Sequence, residues 1–167
     1  TADEIFSSRT ETTRSLGEAP VGVEGAEVMH RMCSWAESFT LELYDKFIGR
    51  DQQVATARRL DADNENLIAV LRYAVAQQLT RTVYTVFAVI GFQWAMRGVH
   101  SEVYNWAERV LAIDPRGPQE RDIRADSLIA SYLLCGMHLL VFGNVRAIAK
   151  ARSRVRQVLR TRSDVTP

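Results

Sequence analysis

No proline interrupts residues 21–114, and none falls between Pro118 and Pro167. A proline inside a helix removes a backbone donor and collides with the preceding turn, so runs this long without one leave the helix open as the dominant element. The apolar spacing is helical as well. In residues 25–48, Val28, Met32, Trp35, Phe39, Leu43 and Phe47 recur at steps of three and four and predict one helical face, which Gly49 ends. A short helix over 51–59 is expected next. A second stripe over 60–75 follows from Leu60, Leu67, Leu71 and Ala74, with Asp61, Asp63 and Asn64 placed as start signals.

Residues 80–97 contain TVYTVFAVI, rich in the β-branched and aromatic side chains that favour strands. A strand needs partners, and no other segment reads as one, so the helical alternative is preferred. It runs through Phe87, Ile90, Gly91 and Trp94 to a turn at Arg97–Gly98. Val103, Trp106, Val110 and Ile113 then mark a helix over 100–113 that the Asp114–Pro115 pair stops. Helices at about 121–142 and 145–161 complete the series.

The remaining segments read as tails. Residues 1–24, with seven Ser/Thr plus Gly17, Pro20 and Gly22, show no apolar period and are expected to be a flexible tail or linker. Residues 163–167 are expected to be a second tail. Between them, 25–162 is read as a single domain, with leading helices over 25–79, one unit over 80–115 and another over 120–161. The chain starts without methionine and reads as a piece of a longer protein.

Composition excludes several classes. With 47% hydrophobic and 25% charged residues, the chain is an ordinary globular one, and a net charge of +1 offers no overall field for nucleic acid or membrane binding. The charge is polarised along the chain, with six acidic and two basic residues among arginines and carboxylates of 1–30, and seven cations against Asp164 in 144–167. The longest apolar run, about 82–92, is far short of the ~20 residues of a membrane span. Cys33 and Cys135 stand apart with no CxxC pattern, which signals neither zinc site nor disulfide framework; a reduced cytoplasmic compartment is expected.

Shifting the sequence by 45 residues superposes Phe87 on Tyr132, Ile90 on Cys135, Gly91 on Gly136, Trp94 on Leu139, Gly98 on Gly143, Val103 on Ile148 and Val110 on Val155. Two glycines fall on two glycines. The inner pair suits a close helix crossing, and the outer pair suits the positive φ that reverses a chain between antiparallel helices.

The order of aromatic, aliphatic, glycine, bulky apolar residue, turn glycine and second helix resembles the tetratricopeptide repeat. The first copy, FAVIGFQWAMRGVHSEVYNWAERVLAIDP, follows it down to Asp114–Pro115. The second copy has Arg152 where a small or apolar residue is usual, and no closing proline. The period exceeds the usual one of about 34 residues, the difference lying in the linker around PRGPQERD. Residues 29–74 carry a second resemblance. His30, the Gly49–Gln52 turn, and Leu60, Asp61, Asn66, Leu67 and Leu71 are similar in order to the segment that leads into the tetratricopeptide array of bacterial STAND/NB-ARC multidomain transcriptional regulators, including SARP-type activators.

The two resemblances together imply an all-α, antiparallel array of helical hairpins, an α-α superhelix of about six helices. They further imply a non-enzymatic sensor or protein-interaction domain of a larger signal-transducing ATPase regulator. The family's Walker A lysine, winged helix and output domain have no counterpart here, so ATP hydrolysis and DNA reading are not assigned. The implied partners are other domains of the same regulator or a protein or peptide, with a small effector as a further candidate, and with neither membrane nor direct nucleic-acid contact. The alternatives are a standalone scaffold gripping a peptide in its concave groove, and a small-molecule-binding helical regulatory domain.

No nucleotide, zinc-protease or hydrolase motif occurs, and no catalytic residue, cofactor or metal ligand is assigned. His30, His100 and His138 fall on three different expected helices and are read as structural, as are Cys33 and Cys135. Asp61 and Asp63, two apart, point to different helix faces. Asn66 is read as an anchor for the preceding loop. What remains is surface. In a stacked array the first helix of each unit lines a concave face. That register gives it Thr85, Ala88, Phe92, Ala95 and Met96, then Ala130, Leu133, Met137, Leu140 and Val141. Phe92, Met96, Leu133, Met137 and Leu140 are the candidate groove, either filled by the leading helices or left open for a partner. Arg146, Lys150, Arg152, Arg154, Arg156 and Arg160 are the candidate basic docking face, read either as a solvated end face or as a surface for an acidic neighbouring module, with nucleic-acid phosphate third because no base-reading motif accompanies the charges.

Overall fold

The computed structural model describes residues 23–48, 53–115, 118–141 and 143–162. Residues 1–22 of the tail expected over 1–24, the tail expected over 163–167, the Gly49–Gln52 turn and the middle of the PRGPQERD linker lie outside these residues, whereas Val23 and Glu24, expected to be tail, belong to the first helix. Within them the chain is all-α. Six long helices, α1 (Val23–Ile48), α2 (Gln53–Ala76), α3 (Thr80–Met96), α4 (His100–Ala112), α5 (Ala125–Val141) and α6 (Val145–Thr161), are joined by one extra helical turn at Pro118–Arg121. Helices adjacent in sequence pack against each other. In addition α3 packs on α1 and α5, so that it stands at the centre of the molecule.

The strand-like composition of α3 follows from that position. Val83, Tyr84, Val86, Phe87 and Ile90 are all fully buried, because neighbours cover this helix on most sides. A helix surrounded in this way loses its polar face, and with it the period that distinguishes helix from buried strand.

Three of the inter-helix turns are built alike. In each, one residue in the left-handed region is followed by an amide that reaches back five residues. Leu79 N–H donates to Ala74 O, Val99 N–H to Trp94 O and Asn144 N–H to Leu139 O, at 2.8, 2.8 and 3.0 Å. This pattern satisfies the carbonyls that a helix end leaves open. The left-handed residue is Gly98 (φ 75°) or Gly143 (φ 73°) in two of them, and Gln78 (φ 57°) in the third. A side chain in this region costs about 1 kcal/mol, partly offset by the restriction it places on the unfolded chain. Gln78→Gly is therefore expected to stabilise the fold by about 0.5 kcal/mol, read as a higher urea midpoint at unchanged slope.

Residues 51–59 and 60–75 are not separate helices, since α2 runs unbroken from Gln53 to Ala76. Asp61, Asp63 and Asn64 lie within it, and neither proline nor glycine breaks its buried stripe of Thr56, Leu60, Leu67 and Leu71. Asn66 accordingly lies well inside the helix rather than at its start. Its amide donates at 3.4 Å to Asp63 on its own helix. The helix expected over 121–142 is divided, because Ile123 leaves the helical path to bury itself in the core at 1% exposure.

The face of α1 is also rotated from the expected one. Cys33, Ala36, Phe39 and Leu43 are buried, whereas Val28 and Trp35 are exposed at 45% and 37%. Trp35 stacks on Phe39 instead, with ring centroids 5.1 Å apart. Gly91 sits where α3 crosses α5. A Cβ there would lie 3.2 Å from the Phe87 ring and 3.4 Å from Leu134, so any side chain would require the Phe87 ring to give by a few tenths of an ångström.

Candidate functional site: an exposed apolar face and a basic helix

The side chains of α5 divide sharply. Leu128, Tyr132, Cys135 and Leu139 point inward and are essentially buried. One step round the helix, Leu133, Met137, Leu140 and Val141 are exposed at 51%, 57%, 63% and 79%. These four recur at helical spacing, so they form one stripe on one face. Phe92 and Met96, exposed at 40% and 68%, belong to α3, which packs beside α5. Single exposed apolar residues are ordinary on protein surfaces, whereas a run of them on packed neighbouring helices marks a contact surface.

All five candidate groove residues are therefore exposed. Two others assigned to that surface are not, since Thr85 and Ala88 are 3% and 1% exposed. Packing of α1 against α3 closes that half of the expected face. The leading helices thus cover part of the groove and leave the Phe92 end open.

Where α1, α2, α3 and α5 converge, a cleft of about 190 Å³ remains, walled by Leu43 and Tyr44, by Leu60, by Val89 and Phe92, and by Ala130. Phe92 borders both the cleft and the open face. The contributions of Leu43, Tyr44 and Leu60 come from tertiary packing, and no sequence signal short of knowing how α1 lies on α3 identifies them. Beside the face, Asp61 of α2 accepts hydrogen bonds from Gln93 Nε2 at 2.5 Å and Arg97 Nη1 at 2.7 Å. This latch joins α2 to the exposed end of α3.

The six residues of the candidate basic face separate into two groups. Arg146, Lys150, Arg152, Arg156 and Arg160 are exposed, and Arg152, Arg156 and Arg160 border a shallow groove along α6. Arg154 is turned inward. Its side chain is 16% exposed and forms an ion pair with Asp114, at the end of α4, whose hydrogen bond raises the guanidinium pKa above its usual value. Arg162 behaves similarly, donating to Glu120 O at 2.8 Å and Ile123 O at 2.9 Å. Two arginines of the basic stretch thus fasten the connection between α4 and α5. The clue lies in the register, because Arg154 falls three residues after Ala151 and four before Val158, the two buried positions of α6.

Both cysteines are free and buried, and burial pushes both thiols up, away from the reactive thiolate. Among the described residues, no group of three or more His, Cys, Asp and Glu is arranged to hold a metal. None of the described helices is long and apolar enough to cross a membrane. No family model, curated protein or solved structure matches this chain.

Proposed function

We propose that this chain is a non-enzymatic interaction and sensor domain of a larger signal-transducing regulator, built as a tetratricopeptide-like array. The observation that carries the reading is the apolar face of Phe92, Met96, Leu133, Met137 and Leu140, on two packed helices and uncovered by the other described residues. Two of its five residues are methionines, whose unbranched thioethers adapt to differently shaped partners. The array reading draws on an offset common to both hairpins, as α3 and α5 begin at Thr80 and Ala125, and α4 and α6 at His100 and Val145, 45 residues apart in each case. A helix or peptide laid along α5 would bury this face, and its release or capture would bias the arrangement of the parent protein's modules.

The small-molecule alternative rests on the convergent cleft. At about 190 Å³ it falls below the roughly 300–1,000 Å³ of sites that enclose a drug-sized ligand, so the open face is favoured over the cleft. The test is recovery of neighbouring modules of the parent protein, or of a defined partner peptide, by the wild-type domain and by Phe92→Ala/Met137→Ala. Both side chains are exposed, so circular dichroism and melting should change little. Recovery is expected to fall at least tenfold. Equal recovery by the two proteins removes the face from the proposal.

A further inference from the structure

We propose that His100 and His138 form a two-imidazole site for a divalent transition-metal ion, with copper(II) preferred over nickel(II) and zinc. The two residues are far apart in sequence but meet where α4 packs on α5, with His100 Nδ1 3.1 Å from His138 Nε2. His138 is 6% exposed, and its Nδ1 lies 2.8 Å from Leu134 O. A carbonyl only accepts, so Nδ1 of His138 carries the proton and its Nε2 presents a lone pair to His100. Metal-binding histidines are held in the same way, the second ring nitrogen donating to a carbonyl and fixing both tautomer and ring orientation.

The spacing suits one shared ion. At metal–nitrogen distances of roughly 2.0–2.1 Å, nitrogens this far apart subtend an angle of roughly 100° at the metal, between the square and tetrahedral values. The rings are tilted by 37° and are not stacked flat, and exposed His100 can turn to bring its lone pair to the same point. Without metal, His100 Nδ1–H donates to His138 Nε2. On binding, that proton passes through solvent to His100 Nε2, so both imidazoles remain neutral and no net proton is released. Water fills the remaining positions of the coordination shell. His100 begins α4, and the positive end of the helix dipole opposes the cation, which makes the site exchangeable. Imidazole ligands and the usual order of divalent-metal affinities give the preference for copper. Because the ligands lie on different helices, the ion would also staple α4 to α5.

The experiment titrates the full chain with copper(II), nickel(II) and zinc chlorides in a non-chelating buffer, by calorimetry and by thermal melting. One ion per chain is expected, together with a rise in melting temperature. His100→Ala, at an exposed position, should weaken copper binding at least tenfold, while His30→Ala leaves it unchanged. Imidazole ¹⁵N resonances of His100 and His138 should shift together on addition of zinc. A loss smaller than tenfold in His100→Ala, a loss in His30→Ala, or unmoved His138 resonances at saturating zinc would each overturn the proposal.

Discussion

Truncating Tyr84 to alanine is expected to cost about 4 kcal/mol of folding stability, and removing its hydroxyl alone, in Tyr84→Phe, about 1.5 kcal/mol. Tyr84 is fully buried on the central helix and meets Tyr132 of α5 edge-on, with ring centroids 5.2 Å apart. Its hydroxyl donates to Ile113 O at 2.8 Å, just past the end of α4. The backbone takes part too, since Ser131 Oγ donates to Tyr84 O at 3.1 Å. One residue therefore ties α3 to both α4 and α5. Alanine would leave a cavity among three helices, whereas phenylalanine would keep the packing and leave Ile113 O without this donor. Urea unfolding of the two variants separates these contributions, and equal losses would show that the hydroxyl, not the ring, holds the helices together.

The same residue predicts a pH dependence. Burial raises the phenol of Tyr84 well above its ordinary value of 10.0, and that of Tyr132 to about 12. Above pH 10 the unfolded chain releases phenolic protons that the folded chain keeps. Stability is then full below pH 10 and declines as pH rises toward 12 and beyond. Tyr84→Phe should flatten this decline.

What could be seen in the sequence follows from where packing leaves a pattern. The amphipathic α4, with Val103, Trp106 and Val110 inward, and the turns at Gly98 and Gly143 were legible because one local rule governs each. Gln78 was not, since nothing about glutamine announces a left-handed backbone, and only the matching hydrogen bonds reveal the shared turn. The division at Ile123 is a tertiary effect, in which burying one isoleucine outweighs continuing a helix. The exposed face was legible in its exposed half, where α5 alternates inward and outward residues at helical spacing. Thr85 and Ala88 were misplaced, because their burial depends on how α1 lies across α3. The two histidines met for the same reason, through packing that no spacing rule encodes.

The basic helix shows how a single charge pattern divides by burial. Exposed cations line one side of α6, and inward arginines hold the link between α4 and α5. Arg154→Ala is therefore expected to lower stability by about 2 kcal/mol, and Arg156→Ala by less than about 0.5 kcal/mol. The first figure lies between two limits. Removing one partner of a fully buried pair costs about 3–5 kcal/mol, whereas an exposed pair is worth about 0.2–1 kcal/mol. Side-chain exposures of 16% for Arg154 and 22% for Asp114 place this pair between them. Part of the cost arises because Asp114, 22% exposed, would lose its ion pair with Arg154. Arg154→Ala/Asp114→Ala should accordingly lose less than the sum of the single variants, and a double-mutant cycle measures the difference. Were Arg154→Ala as stable as wild type, this arginine would belong with the exposed cations after all. Because the segment it holds also receives the Tyr84 hydroxyl, at Ile113 O, the Arg154 and Tyr84→Phe losses should couple, while Arg156→Ala and Tyr84→Phe simply add.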